Sequence, residues 1–497
     1  MSNLKKNIIA NYTCQIYVIV VGVILLPTYI KYMGSEAYGL VGFFAMLQAW
    51  FKILDLGLTP TIGRETARYY GGAISNIAFR RIHRSLTIIF ITIATIGGAI
   101  LFCLSDFIAY KWFNLNGLTE LEVVVAVKIM AISVALRWMT GLYRGVIMGA
   151  EQLIWLSGFN AIIATLRFVG VLISMRCFGF TPFVFFIHQL IIAIIENIGL
   201  LLKSYQLLPS KKSLDKKIGW SLQPVKSVLK FSLTIAFTGL VWVFVTQTDK
   251  LILSGILSLE NYGYFTLSVL VANGVILISS PIGSAIMPRL ARLYAENKHS
   301  ELLLLYKKTT QLMIVIAGSA AITLIVAAEP LLFAWTGDID LTKKASTILR
   351  LYAAGNLFLS MSALVYYMQY AKGNLRFHLI GNFILFVLLI PSVVYLSNSF
   401  GGIGAGYAWL GANFLYFFFW VAFVHYKIEP GLHVNWMKFD VLKILLPMLF
   451  VFIFMFFDFE LLNRMKSLLY VTFISGTLLI IALSFSSLFT FNKNAGG

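Results

Sequence analysis

Long apolar runs, separated by short stretches that carry charged residues, glycine or proline, repeat along the chain from end to end. A helix needs roughly 20 mostly apolar residues to cross a bilayer, because about 30 Å of hydrocarbon must be spanned at about 1.5 Å per residue. The strict alternation of apolar and polar residues that is typical of membrane-barrel strands is absent from the sequence. The pattern predicts fourteen spanning helices, at 8–32, 37–60, 85–105, 123–146, 153–175, 181–202, 228–249, 261–287, 309–328, 346–370, 377–397, 402–424, 441–458 and 467–490.

The composition agrees with a membrane protein. Hydrophobic residues make up 59% of the 497 residues and charged residues only 12%, about half the charged fraction of a soluble protein. The first apolar run is longer than the core of a signal peptide and no small-residue cleavage site follows it, so we expect it to be retained as a span. Cys14, Cys103 and Cys177 lie in or beside apolar runs and predict neither a disulfide framework nor a metal site.

Lysine and arginine are concentrated in alternate loops, including the lysine-rich segment 203–227 between the sixth and seventh spans. Because positively charged loops remain in the cytoplasm, this distribution predicts that both termini are cytoplasmic. The orientation also accounts for most of the formal net charge of +19. The charge therefore gives no reason to expect a nucleic acid as a partner.

A short sequence occurs twice, as EAYG at 36–39 and as ENYG at 260–263, an offset of 224 residues. Three further identities keep this offset, since Ala67, Arg68 and Tyr70 match Ala291, Arg292 and Tyr294. Six spans separate the copies, so the two halves share one orientation and are related by a pseudo-two-fold axis along the membrane normal. We expect an all-α integral membrane protein with a six-helix bundle and basic connecting loop at 1–227, a second bundle at 228–440 and two further helices at 441–497.

Two like-oriented bundles are the architecture of alternating-access transporters. The loops are too short for a soluble catalytic domain, and no glycine is followed by lysine, so a Walker A phosphate loop is absent. We therefore expect a transporter that needs no cofactor, and not an enzyme. A duplicated helical scaffold with another task is the alternative interpretation.

Arg137 and Arg167 lie close to the middle of predicted spans, where a charged side chain costs on the order of 2.5–3.5 kcal/mol. Glu196 is the one obvious carboxylate partner for them, which leaves a surplus of positive charge. A surplus of this kind predicts a wet cationic cavity for an anionic substrate. Arg144 follows Arg137 by about two helical turns and shares its face. Hydrogen bonds from these arginines to neighbouring carbonyl groups are the alternative.

Lys52 and Asp55 are three residues apart on one helical face, so we expect them to neutralise each other at the edge of this cavity. Glu196, Asp55 and His188 are the candidates for ion coupling, although His188 and Glu196 could instead contact different neighbours. Glycines at 141, 145 and 149 predict a close helix–helix contact. The segment GGIGAG at 401–406 follows no strand and predicts a tight outer turn, not a dinucleotide loop.

The segments LPTYIKYMGSEAYGLVGFF and ILDLGLTPTIGRETAR near the N-terminus, and TQTDKLILSGILSLENYGYF at 246–265, are the ones that resemble a known family. The matching residues are Pro27, Gly34, Glu36, Tyr38, Gly39, Asp55, Gly57, Arg64 and Glu65. They resemble the polysaccharide-transport branch of the multidrug/oligosaccharidyl-lipid/polysaccharide exporter superfamily, and within it the O-antigen flippases. Span number and loop lengths agree over nearly the whole chain.

The resemblance implies a flippase that moves undecaprenyl-pyrophosphate-linked oligosaccharides, such as repeat units of O-antigen lipopolysaccharide, across the bacterial cytoplasmic (inner) membrane. It implies transport from the cytoplasmic to the periplasmic leaflet, driven by an ion gradient, with membrane lipid and the polysaccharide assembly machinery as partners. It does not identify the residues that contact the pyrophosphate. The sugars, the choice of H⁺ or Na⁺ and the oligomeric state stay open.

Two other functions compete with this one. A multidrug antiporter of the same superfamily would favour acidic groups for cationic drugs, whereas this sequence offers basic ones. A membrane-embedded polysaccharide polymerase or glycosyltransferase would need catalytic residues in a sizeable outer loop. The largest outer segments, near 106–122 and 329–345, contain no compact cluster of Asp, Glu, His and Arg.

Overall fold

A computed structural model describes residues 2–55, 57–210, 241–456 and 463–488, without the side chains of 2–12, 284, 285, 288 and 456. The chain divides into two compact units, Met1–Gly263 and Tyr264–Gly497, called the first and second unit below. The boundary that the sequence places at 227 lies outside the described residues and stays a prediction. In the described ranges the regular structure is helical, with a single isolated bridge between Asn114 and Ser258.

The first unit contains the helices α1 to α10 and the start of α11. Their bounds are α1 Ser2–Met33, α2 Ser35–Phe51, α3 Leu58–Tyr70, α4 Asn76–Cys103, α5 Ser105–Phe107, α6 Glu120–Gly149, α7 Leu153–Thr165, α8 Val171–Phe178, α9 Pro182–Gln206, α10 241–256 and α11 Leu259–Ala272. A 3₁₀ turn, Lys52–Asp55, follows α2, and π turns follow α5 at Ile108–Trp112 and α7 at Leu166–Gly170.

The second unit continues α11 and contains the remaining helices. Their bounds are α12 Gly274–Ala295, α13 His299–Met313, α14 Ser319–Val326, α15 Ala328–Thr336, α16 Ile339–Ala371, α17 Arg376–Leu415, α18 Val421–Ile428, α19 Leu432–Trp436, α20 Lys443–Met448 and α21 Arg464–Phe485. The π turns Ile314–Gly318, Tyr416–Trp420 and Met437–Leu442 and the 3₁₀ segment Leu449–Phe456 join them. The core of this unit buries the large side chains of Tyr306, Phe417 and Trp436.

Eleven helical segments in the described ranges are long and apolar enough to cross a membrane. One of them, Arg376–Ile428, has 53 residues and contains the two spans predicted at 377–397 and 402–424. The seventh and thirteenth predicted spans lie partly in residues that the structure does not describe. The predicted all-α membrane fold with about fourteen spans is confirmed.

The chain turns sharply at Gly401, whose φ of 56° and ψ of −135° are not helical. A Cβ atom added to Gly404 would lie 2.0 Å from the carbonyl oxygen of Leu396. Residues eight apart approach in this way only where the chain folds back, because an α-helix would separate them by about 12 Å. The glycine-rich segment 401–406 is therefore the tight turn that the sequence predicts.

The second span ends earlier than the predicted 37–60. It stops at Phe51, and after the 3₁₀ turn the chain passes through Gly57, whose φ of 72° lies in the left-handed region. The carboxylate of Asp55 then accepts hydrogen bonds from the amide (3.1 Å) and hydroxyl (2.6 Å) of Thr59 in the first turn of α3. Left-handed glycine and side-chain capping are local signals that end one helix and start another.

The glycines of α6 pack against α3, as predicted. A Cβ atom on Gly145 would lie 2.7 Å from the carbonyl oxygen of Thr59, and one on Gly149 would lie 2.2 Å from that of Gly63. Small residues allow two helix backbones to approach this closely. This contact fixes α6, the helix that carries Arg137 and Arg144.

The two copies of the repeated tetrapeptide pack against each other inside the first unit. A Cβ atom on Gly39 would lie 2.1 Å from the carbonyl oxygen of Leu259, and one on Gly263 would lie 2.7 Å from that of Ser35. Ser35 and Leu259 are themselves 224 residues apart, so the contact is reciprocal, as a two-fold relation between the copies requires. Glycine occupies both positions because no larger residue fits there.

Glu36, the acidic residue of the first tetrapeptide, has a structural role. Its carboxylate accepts hydrogen bonds from three successive backbone amides, those of Asn116 (2.8 Å), Gly117 (2.7 Å) and Leu118 (3.0 Å). These bonds hold the loop before α6 in place. Charged acceptors that satisfy several amides at once rigidify a loop.

Candidate functional site

The arginines, Glu196 and His188 predicted for the site lie on α6, on the segment α7–α8 and on α9, and Lys52 and Asp55 lie in the 3₁₀ turn after α2, all in the first unit. Helix α6 contacts α9 extensively and also contacts α7. Arg167 belongs to the π turn Leu166–Gly170 between α7 and α8. Single π turns inside membrane helices often occur at functional positions, because they displace carbonyl groups from the regular helical ladder.

The guanidinium group of Arg167 has no strong partner. It lies over the ring of Phe168, 5.4 Å from the ring centre, and its Nε atom is buried without a hydrogen bond. Among the residues that the structure describes, none accepts a hydrogen bond from this side chain or forms an ion pair with it. The carboxylate of Glu196 attracts the charge of Arg167 without forming an ion pair with it.

Arg137 is held by amide oxygens and not by a carboxylate. It donates to Oε1 of Gln48 (3.0 Å) and to Oε1 of Gln189 (2.8 Å), and its guanidinium lies 5.3 Å from the centre of the Phe44 ring. Its Nε atom is buried without a partner. The charge of Arg137 is repelled by that of Arg167 and attracted by that of Glu196, with which it forms no ion pair.

Glu196 pairs with Arg144, and neither Arg137 nor Arg167 forms an ion pair with it. The carboxylate oxygen Oε1 accepts from Nη2 of Arg144 (2.6 Å), and the other terminal nitrogen of Arg144, Nη1, donates to Oδ1 of Asn160 (2.8 Å). Glu196 is only 5% exposed, and its second oxygen, Oε2, is buried without a hydrogen bond. Arg144 is thus the arginine of the three that forms an ion pair with Glu196, and the predicted cationic cavity stays a prediction.

The expected pairing of Lys52 with Asp55 is wrong. Lys52 is exposed, and within the described residues it forms no ion pair, while Asp55 uses its carboxylate to bind Thr59. The two residues lie in a 3₁₀ turn and not in the α-helix that the expectation assumed. No hydrogen bond or ion pair joins Lys52 to the arginines.

His188 contacts the π turn. Its Nε2 atom lies 2.9 Å from the carbonyl oxygen of Leu166, and its Nδ1 atom lies 2.8 Å from the hydroxyl of Ser174. A carbonyl can only accept, so Nε2 carries a proton and donates it. Both ring nitrogens are thus engaged, and no hydrogen bond links His188 to Glu196.

The residues that sequence reasoning missed are uncharged. Gln48, Gln189 and Asn160 provide the amide oxygens that hold the arginines, and Tyr29 binds the π turn. The available signal was an amide side chain inside an apolar run, since a polar group in hydrocarbon needs an internal partner. In the described part of the chain, no group of three or more His, Cys, Asp or Glu side chains could hold a metal ion.

The sequence matches a family model described as polysaccharide biosynthesis protein over residues 4–294. A second family model, MatE, matches residues 234–395. No curated protein matches the chain significantly.

Solved structures of similar fold include a lipid II flippase MurJ in an inward closed conformation, with 15% identity, a TM-score of 0.69 and coverage of 97% of this chain and 98% of that one. An inward-facing multidrug resistance MATE family transporter has 14% identity, a TM-score of 0.63 and coverage of 82% and 94%. A multidrug/oligosaccharidyl-lipid/polysaccharide exporter superfamily transporter from Pyrococcus furiosus has 16% identity, a TM-score of 0.52 and coverage of 85% and 96%.

These structures show the fold, and the polysaccharide biosynthesis model, which covers more than half of the chain, shows the family. The chain therefore belongs to the polysaccharide biosynthesis protein family, within the multidrug/oligosaccharidyl-lipid/polysaccharide exporter superfamily, and is a membrane transporter and not an enzyme.

Proposed function

We propose that this chain is a flippase for polyprenyl-pyrophosphate-linked oligosaccharides. It moves undecaprenyl-pyrophosphate-linked repeat units of O-antigen or a related surface polysaccharide from the cytoplasmic to the outer leaflet of the bacterial cytoplasmic membrane. Transport uses alternating access and an ion gradient. Both termini lie in the cytoplasm, as the distribution of basic loops predicts.

The observation that carries this proposal is the pair of guanidinium groups of Arg137 and Arg167. Both lie within helical segments long and apolar enough to span a membrane, and among the described residues neither forms an ion pair with a carboxylate. A pyrophosphate carries several negative charges and many acceptor oxygens, which guanidinium groups bind in bidentate fashion. The two arginines therefore offer the phosphate groups a site in the membrane while the polyprenyl tail stays in lipid.

The comparisons support the substrate class. The matched family is one of polysaccharide biosynthesis, and one structure of the same fold is a lipid II flippase. Gln48 and Gln189 hold Arg137 through neutral acceptors, and phosphate oxygens are stronger, charged acceptors that can replace them.

Glu196 is the ion-coupling group that the geometry supports best. Its Oε2 atom is buried without a hydrogen bond, and a coupling ion bound there would weaken the bond from Oε1 to Arg144. Asp55 and His188 are less suited, because hydrogen bonds to Thr59, Leu166 and Ser174 already occupy them. Glu196→Gln should uncouple transport from the ion gradient, measured as the loss of gradient-dependent uptake in vesicles.

The test of the function is a cell that lacks the gene and carries plasmid-borne variants. The double variant Arg137→Ala and Arg167→Ala should fail to restore transport, so lipid-linked oligosaccharide should accumulate on the inner leaflet. Arg176→Ala is the matched control, because Arg176 is exposed at the end of the same span. Normal transport by a normally expressed double variant would contradict the proposal.

Multidrug antiport is the second candidate, and the match of the MatE model to residues 234–395 favours it. The first unit opposes it, since its surplus charge is positive and would repel cationic drugs. An efflux assay with a cationic dye separates the two functions. Gene-dependent dye efflux without any oligosaccharide defect would favour the antiporter.

A further inference from the structure

Three consecutive carbonyl groups of the π turn accept hydrogen bonds from side chains of other helices. Leu166 accepts from Nε2 of His188 (2.9 Å), Arg167 from Nε2 of Gln189 (3.1 Å), and Phe168 from the hydroxyl of Tyr29 (2.6 Å). His188 and Gln189 lie on α9, and Tyr29 lies on α1. The turn is thus bound from two sides.

Such a set of bonds is what a π turn inside a membrane needs. A carbonyl that leaves the helical ladder finds no water in hydrocarbon, so an internal donor must replace the lost partner. Tyr29 is 2% exposed and Gln189 is 4% exposed. Their donors are therefore shielded from competing water, and the conformation of residues 166–170 depends on them.

Glycines leave room for the donors to approach. A Cβ atom on Gly170 would lie 3.4 Å from Cε1 of the His188 ring, and one on Gly22 would lie 3.3 Å from the ring of Phe168. Both distances are close to the limit of ordinary contacts. The packing around the turn is therefore tight as well as hydrogen-bonded.

Gln189 connects the turn to the second arginine. Its Oε1 atom accepts from Arg137 (2.8 Å) while its Nε2 atom donates to the backbone of Arg167 (3.1 Å). One amide thereby fixes the guanidinium of Arg137 and the backbone of Arg167 at the same time. Two positive charges that repel each other stay close only if the surrounding structure holds them.

We propose that Tyr29, His188 and Gln189 are positioning residues that hold the π turn so that Arg167 and Arg137 together bind a diphosphate group. The proposal deepens the proposed flippase function and rests on it. His188 then acts through Arg167 and does not carry the coupling proton. If a hydrogen bond to a carbonyl group of the π turn is lost, the affinity of the chain for the diphosphate should fall only because Arg167 is displaced.

The experiment measures binding of farnesyl diphosphate, a short soluble prenyl diphosphate, to the purified full-length chain in detergent by titration calorimetry. Tyr29→Phe and His188→Leu are each made in the wild-type background and in the Arg167→Ala background. We expect each to weaken binding about 5-fold in the wild type, the effect of one lost hydrogen bond. In the Arg167→Ala background neither should weaken binding further.

Two control variants separate positioning from general damage. Tyr17→Phe removes the same hydroxyl from the same helix, but that hydroxyl contacts the Thr165 side chain (2.6 Å) and not a carbonyl of the turn, so binding should be unchanged. His188→Gln keeps an amide donor near the position of Nε2 and should restore most of the affinity.

The outcomes separate the two proposals. Equal losses in both backgrounds would show that Tyr29 and His188 act on the fold in general and would overturn the positioning role. Binding that falls in Arg167→Ala but not in Tyr29→Phe or His188→Leu would overturn the positioning role and leave the function standing. A wild-type chain that binds no farnesyl diphosphate would overturn both.

Discussion

In the first unit, the two arginines Arg137 and Arg167 lie inside the spans without an ion-pair partner, whereas the buried carboxylates described in the second unit accept hydrogen bonds from side chains. Arg137 and Arg167 each bury an Nε atom that makes no hydrogen bond, and Glu196 buries its Oε2 atom in the same way. Among the described residues of the second unit, two carboxylates are buried, those of Glu429 and Asp440. Each of these accepts hydrogen bonds from neighbouring side chains.

The carboxylates of the second unit each bind specific side chains. Glu429 binds both Lys372 and His299, and Asp440 accepts from Nε2 of Gln311 (2.7 Å). Arg350 donates to Glu329 (3.1 Å). In the described part of this unit, the buried side-chain atoms without a partner are all neutral, on Ser319, Ser397, Asn413, Trp420 and Ser467.

This difference has a physical meaning. An unpaired charge in a membrane helix is kept only where it has a use, because pairing or replacement would stabilise the protein. A closed network of pairs instead specifies packing and leaves no capacity for a ligand. The comparison supports the proposal that the first unit binds the anionic group.

The largest expected effect follows from breaking the ion pair between Arg144 and Glu196 in the first unit. Arg144→Ala leaves Glu196 buried without a cation, which should lower the free energy of unfolding by about 3 kcal/mol. Thermal unfolding of the purified protein in detergent, followed by tryptophan fluorescence, measures the change. Adding Glu196→Gln to Arg144→Ala should recover part of it, because the buried charge is then removed.

The matched change in the second unit should have a smaller effect. Lys372→Met removes one cation from Glu429 but leaves His299 in contact, 3.0 Å from the carboxylate. We expect roughly half the loss seen for Arg144→Ala, since one charge-assisted hydrogen bond is kept. Equal losses in the two variants would contradict the contrast between an isolated pair and a network.

The next largest loss of stability is expected from removing hydrogen bonds between uncharged groups in the second unit. Asn356 accepts from Nε1 of Trp409 (2.9 Å) and donates to the carbonyl of Ala272 (2.9 Å). Asn356→Leu leaves both buried groups unsatisfied and should cost about 1 kcal/mol of stability, measured by the same unfolding assay. Diphosphate binding by this variant should stay normal, whereas reduced binding would show that the second unit also contributes to the site.

Much of the fold could be predicted from the sequence, because long apolar runs have one solution in a membrane. The stripe of glycines at 141, 145 and 149 predicted a close helix–helix contact correctly, but not that α3 is the partner. The break between Phe51 and Leu58 was missed, since it depends on a left-handed backbone at Gly57 and a side-chain bond from Asp55. Hydropathy does not report either of these.

The site was predicted less completely than the fold. Arg137 and Arg167 were identifiable, because the cost of a charge in hydrocarbon marks them. The pairing of Glu196 with Arg144 was not, since it depends on how α9 packs against α6. The π turn was also invisible, because its conformation depends on donors from two distant helices and not on residues 166–170 alone.

The smallest expected effect is on the pH dependence of stability and comes from a histidine of the second unit. His433 lies in α19, outside the spanning segments, with Nδ1 3.0 Å from Nδ1 of His425. Partial burial lowers the pKa of His433 below its ordinary value of 6.5. The unfolded chain therefore binds a proton more readily than the folded one, so stability is complete above about pH 6.5 and falls as the pH drops below it.

His433→Gln, which cannot be protonated, should show a flatter decline in unfolding temperature between about pH 7 and pH 5. The difference from wild type should be smaller than for either Lys372→Met or Asn356→Leu, because the ring is partly exposed to water. Identical pH profiles for the two proteins would mean that His433 does not contribute to the pH dependence, and a steeper decline in the variant would reverse the sign of the argument.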